Sequence, residues 1–179
     1  MTASASRRIA IAALLCAALG FASHAWPAPT ARTPIKDSAA AAQKWQSDSV
    51  LTHVSTVAAR ADGTAASWLF TYYSPKAKRS AIVTARDGGK VEIEPDVRNS
   101  STDALPGEFI DSDRAVALAT KAGLKLKVGA SVMLGLTSAS AKLSKSTVYW
   151  VVTAPRAGGF SSVTLDAKDG HVITTHDLK

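Results

Sequence analysis

Two neighbouring tyrosines, Tyr72 and Tyr73, stand just ahead of a run of cations, Lys76, Lys78 and Arg79. Tyrosine and arginine are the side chains most favoured at the centres of protein interfaces. Cations beside aromatic rings can also take up phosphates and stack on bases. Alternating segments on either side place this run at a hairpin tip, and Arg156 marks the equivalent tip further along the chain. Successive residues of a strand point to opposite faces, so one tyrosine of the pair must face outward. These six residues form the candidate partner-contact surface.

Other chemistries find little support. His171 and His176 are five apart, on or beyond a strand, without a third ligand at helical spacing. Solvated side chains account for them and for His53, so no metal site is expected. No Gly-x-Ser-x-Gly elbow is present. Most of the acids that could pair for general acid–base work, Glu92, Glu94, Asp96, Glu108, Asp111 and Asp113, lie in or beside a polar linker. Asp111 suits a helix cap, and Asp166 a turn. Gly88-Gly89 and Gly158-Gly159 join strands rather than opening helices, which argues against a phosphate cradle. No catalytic residue and no cofactor is expected, and the chain reads as a non-enzyme.

The elements that would carry the tips are written twice. The stretch from Ser131 to Gly170 falls on Ser49 to Gly88 without a gap, at an offset of 82 positions (150 − 68), and nine of the forty positions are identical. A fixed-period echo of this kind points to a duplicated structural unit. Trp150 lands on Trp68, Thr153 on Thr71, and Asp169-Gly170 on Asp87-Gly88. Period-two alternation marks strands: Val50, Thr52 and Val54 on one side, then Ala66, Trp68, Phe70 and Tyr72, then Ala81, Val83 and Ala85, each set with its counterpart in the second copy. Lys168-Asp169-Gly170-His171 reads as a two-residue hairpin with both central residues at positive φ; Gly88-Gly89 reads as a longer turn. Short strands follow at Lys90 to Ile93 and at His171 to Thr174. Upstream, Asp37-Ser38 and Asp111-Ser112 offer N-caps for helices over Ala39 to Trp45 and Asp113 to Ala122, with Gly123 as a stop. Trp68 and Trp150 would anchor two equivalent cores. The expected fold class is α+β, two tandem units, each a helix packed on a three- to four-stranded antiparallel sheet.

Residues 1–25 read as an export signal. Arg7-Arg8 opens it, an apolar run from Ile9 to Ala22 follows, and Ser23-His24-Ala25 is a small-x-small cleavage pattern. General secretion fits better than the twin-arginine route, because the residues after Arg8 are weakly hydrophobic. Cleavage would remove Cys16, the sole cysteine, leaving no disulfide and no thiolate chemistry. The formal charge of +7 falls to about +5 without those two arginines, a figure that bears on solubility and loose association. Residues 26–34 read as a flexible lead, 35–93 as the first unit, 94–108 as a linker and 109–179 as the second unit. No membrane span is expected after the signal.

The second unit resembles the PepSY family, found in propeptides of secreted bacterial metallopeptidases and in envelope proteins. The resemblance rests on Asp111 to Ala119 at the helix, on Val148-Tyr149-Trp150-Val151-Val152, and on Ser162 to Ile173 with its Asp-Ala-x-x-Gly-x-Val ending. The first unit keeps Ala85-Arg86-Asp87-Gly88 but has Thr84 where the second has Asp166. The resemblance implies a cystatin-like helix-on-sheet fold and a noncatalytic role in binding or restraining a peptidase or sensing in the envelope; it supplies no catalytic residues. The expectation is a periplasmic or secreted binding module for an envelope or secreted protein such as a peptidase, engaged through a sheet edge or the hairpin tips. The alternative is a periplasmic binding protein for a small ligand or envelope polymer, with a cleft between the units. Export argues against nucleic acid as a partner.

Overall fold

The computed structural model describes residues 28–98, 101–138 and 148–178; the export signal expected over 1–25 lies outside them. The elements run α1 (Ile35–Trp45), β1 (Val50–Ala59), β2 (Ser67–Ser74), β3 (Arg79–Arg86), β4 (Val91–Val97), α2 (Ser112–Lys121), β5 (Val132–Ser138), β6 (Val148–Arg156), β7 (Gly159–Asp166) and β8 (Val172–Leu178). Among the described residues no helix is long and apolar enough to cross a membrane.

The expectation of two tandem units, each with its own three- to four-stranded sheet, is corrected. All eight strands form a single antiparallel sheet in the order β4-β3-β2-β1-β5-β6-β7-β8. The join is β1 against β5, with Val54 opposite Leu136 and Ser55 opposite Gly135. The physical reason is the edge. In separate sheets β1 and β5 would each present a row of unpaired amides and carbonyls, and pairing them satisfies both rows.

One row of side chains shows how the join shares its core. Ile93, Val83, Phe70, Val54, Leu136, Trp150 and Leu165 are opposite one another in turn across seven strands. Directly paired residues share a face, so this row runs along the helix-covered side of both halves. All but the edge residue Ile93 are buried. A single apolar cluster contains Trp68, Phe70 and Val83 of the first half with Trp150, Val152 and Leu165 of the second. Helix α1 lies over β3 and β4, and α2 over β6 and β7. The opposite face is uncovered among the described residues and carries His53, Leu69, Tyr73, Met133 and Val151, all of intermediate exposure.

The two tryptophans occupy matching settings. Both are fully buried. Trp68 Nε1 donates to Pro29 O and Trp150 Nε1 to Ile110 O, each at 2.9 Å. The segment read as a flexible lead therefore has a bonded role over its described part. Pro29 O also accepts from Ala65 N at 3.0 Å. Ala31 N donates to Ser112 Oγ at 2.9 Å and Arg32 N to Asp111 Oδ1 at 3.1 Å, lacing the start of the described chain to the start of α2.

Several local expectations also change. A bulge between Leu51 and His53 puts Val50 and Val54 on opposite faces; Thr52 is buried in it and donates to Thr71 O at 3.2 Å. Helix α1 begins at Ile35 with Pro34 in the N-cap position, whose side chain has no acceptor; Ser38, expected as a cap, lies inside the helix and donates from Oγ to Ile35 O. Helix α2 is capped by Asp111 as read, and ends in a Schellman turn: Gly123 has φ +105, its N bonds Thr120 O, and Leu124 N bonds Ala119 O, both at 3.0 Å. Strand β4 continues to Val97, past the expected end at Ile93 and through Pro95. In the expected linker, Leu105 is buried and its N donates to Leu51 O at 2.7 Å. The second-copy hairpin is not the two-residue type. Only Gly170 has positive φ, and Asp166 Oδ1 accepts from Lys168 N at 2.7 Å and Asp169 N at 3.3 Å. That side chain imposes its own turn in place of the expected one.

Candidate functional site at the hairpin tips

The β2–β3 turn, residues 75–78, is held from outside. Asp48 accepts from Ser74 Oγ at 2.8 Å through Oδ1 and from Lys76 N at 2.9 Å through Oδ2. The Lys76 amide, followed by the Ser74 hydroxyl, keeps the Asp48 carboxyl below the usual carboxylate range. Lys78 N closes the turn onto Ser74 O at 2.8 Å, with Lys78 itself at φ +54. Across from it on the edge strand, Asp96 has φ +60, and its Oδ2 lies 3.2 Å from Arg79 Nη1. Together Tyr73, Lys78, Arg79, Ser80, Asp96, Val97 and Arg98 line an open cleft of about 740 Å³.

The six candidate contact residues divide. Tyr73, Lys78 and Arg79 come together in this cleft. Tyr72 does not: it is 3 % exposed on the helix side, and its hydroxyl meets Ser38 Oγ at 2.8 Å. Burial pushes its pKa up to about 12. Lys76 is exposed at the turn but outside the cleft lining. Arg156 sits at the other tip, where its Nη1 lies 3.5 Å from Asp177 Oδ1. Ser161 Oγ donates to the same carboxylate oxygen at 2.9 Å. Lys125, Arg156, His176 and Asp177 share a second cleft of about 540 Å³ there. Each half thus sets a tip arginine against an aspartate of its edge strand. Sequence reasoning named Asp96 only as a linker acid and missed Arg98, because Glu94 to Gly107 reads as linker and Pro95 hides the strand that continues through it.

Three further places hold chemistry-bearing groups. Ligand atoms of Asp166, Asp169 and His171 lie within 4.8 Å of one another, yet these groups serve the β7–β8 loop. Asp166 Oδ1 takes two loop amides, and Asp169 Oδ1 accepts from His171 N at 2.9 Å and meets His171 Nδ1 at 2.7 Å. His53, half-buried on the uncovered face, has its pKa lowered by desolvation. A cavity of about 430 Å³ lies at the seam, lined by Arg32, Ile35, Leu51, Tyr72, Leu105 and Phe109 among others; the Phe109 ring meets Trp150 edge-on at 6.3 Å.

No family model matches the chain, and no curated protein matches it. Among solved structures it is similar to a chain described as a "putative lipoprotein" from Clostridium difficile 630, with a TM-score of 0.54 and 12 % identity over 80 % of this chain and 91 % of that one. At that identity the likeness bears on the fold alone.

Proposed function

We propose that this chain is a noncatalytic binding module of the cell envelope or the exterior, which holds an extended segment of a partner protein along β8. The observation that carries the reading is the unlike treatment of the sheet's two edges. β4 is blunted in the ways monomeric sheets use: it contains Pro95, a left-handed Asp96, and the exposed acids Glu92 and Glu94. β8, Val172–Leu178, has neither proline nor glycine nor lysine. The register of β8 on β7 shifts once, at Ile173 near its start, and is unbroken from Thr174 to Leu178; that stretch of open edge offers its amides and carbonyls to a partner strand, with main-chain bonds supplying affinity.

The envelope assignment draws on the charged start and short apolar run at Arg7 to Ala22 and on the lipoprotein character ascribed to the structural neighbour. The PepSY resemblance of residues 111–173 favours a peptidase as the partner and a restraining role, and it brings no catalytic residue with it. A second reading, carriage of a small ligand, is supported by the apolar seam cavity between Leu51, Leu105 and Phe109.

Adjacent residues of β8 alternate in which way their amides point, so of Thr174→Pro and Thr175→Pro one breaks the β7–β8 ladder and the other blocks only the outer edge. Circular dichroism identifies the folded variant. The proposal expects that variant to lose capture of the envelope protein retained by the full chain, and β8 amides of the parent to gain exchange protection when that protein is added. Undiminished capture by the folded proline variant refutes it.

A further inference from the structure

We infer that the cleft at the β2–β3 tip is an anion site for a phosphate-bearing ligand. Three cations reach it from three different segments: Lys78 from the turn, Arg79 from the start of β3, and Arg98 from beyond the end of β4. One carboxylate, Asp96, stands among them, and it is engaged with Arg79. Among the described residues no carboxylate lies within ion-pair distance of Lys78 or Arg98. The cleft therefore holds an excess of positive charge in a concave place rather than spread along a solvated strand.

Backbone geometry adds an independent observation. Lys78 and Asp96 are the only non-glycine residues with positive φ among the described ones, and both line this cleft. A left-handed conformation is disfavoured for residues bearing a β-carbon, and such outliers gather where side chains must be aimed. Here they aim Lys78 into the cleft from one side and, from the other, set Asp96 against the Arg79 guanidinium. Held on one nitrogen by Asp96, that planar fork is pre-oriented toward a tetrahedral or planar oxyanion. Tyr73 contributes an aromatic wall on the uncovered face. Three cations against one acid match a phosphate, with its greater charge and its several acceptor oxygens, better than a lone carboxylate. The site lies beside the blunted β4 edge, at the opposite margin of the sheet from β8, so it stands or falls separately from strand addition there.

The test titrates the full chain with inorganic phosphate, with a glycerol-phosphate oligomer as a phosphodiester probe, and with poly-glutamate of equal charge. Binding is followed by amide chemical shifts. The double variant Arg79→Gln/Arg98→Gln removes two cleft cations; Lys44→Gln/Lys121→Gln removes two exposed cations elsewhere and matches its net charge. Arg98→Gln alone lies outside every strand and serves if the first double disturbs folding. The expected result is that a phosphate probe binds at least about tenfold tighter than poly-glutamate, shifts Tyr73 and Val97, and weakens about tenfold or more in the cleft double but less than about twofold in the control double. Preference for the oligomer points to a phosphodiester polymer, preference for inorganic phosphate to a small ligand; both keep the site. Equal losses in the two doubles, or equal binding of poly-glutamate, overturn it.

Discussion

Gly63 reports on whether the two halves form a single body. It sits in the β1–β2 loop at φ +81, and a β-carbon built there would lie 2.5 Å from Asp113 Cα, 2.6 Å from Asp113 N and 2.6 Å from Ser112 O. Those atoms are the backbone of the first turn of α2, in the other half, and they cannot swing aside as a side-chain tip can. Gly63→Ala thus meets two costs. The left-handed conformation costs an L-residue about 1–2 kcal/mol, and forcing packed backbone apart adds about 1–3 kcal/mol, together about 2–5 kcal/mol. Gly88 supplies the control, because it has nearly the same φ, +78, with nothing within 4 Å of its β-carbon position. Gly88→Ala should cost only the conformational part, about 1–2 kcal/mol. Urea unfolding of both variants, followed by circular dichroism, gives the difference. Equal destabilisation would mean that the loop is not seated on α2.

Trp68→Phe and Trp150→Phe each remove an indole donor from a backbone carbonyl and leave a void in a fully buried site. Each should cost about 2–4 kcal/mol in urea unfolding, and the two costs should agree within about 1 kcal/mol; a gap above about 2 kcal/mol would contradict matched environments. Tyr72, held neutral by burial to about pH 12, binds its proton in the folded state after the unfolded chain has released it near the ordinary value of 10.0. Stability from this group is therefore intact below pH 10 and declines as pH rises from about 10 to about 12. The loss should total on the order of 2 kcal/mol, and Tyr72→Phe should abolish that part of the alkaline decline.

Alternation and the 82-residue echo made the strands and the correspondence of Trp68 with Trp150 legible, and cap residues with helical spacing made both helices so, because these are local patterns. The union of the sheets was not legible. Pairing of β1 with β5 joins segments far apart in the chain, and an alternating strand carries no mark saying which neighbour it will take. The bulge at Thr52 is a register irregularity, invisible to a period-two reading. The Lys168 to His171 turn went astray because Asp166, upstream of the dipeptide that suggested it, captures two of the loop amides. At the site, alternation required one of Tyr72 and Tyr73 to face out; pairing of Tyr72 with Leu51 and Ala81 on the helix side decides which. Arg98, and the place of Asp96 opposite Arg79, stayed hidden because proline normally argues against a strand, except at an edge, which is where β4 lies.

Amide hydrogen exchange along β1 and β5 tests the continuous sheet most directly. If these strands are interior, every amide from Val54 to Thr56 and from Leu134 to Leu136 is bonded on one side or the other, and all six should exchange together at the slowest rates in the molecule. If the halves carry separate sheets, every second amide of each strand would face solvent and exchange at nearly the rate of an open chain, and that alternating pattern would contradict the account.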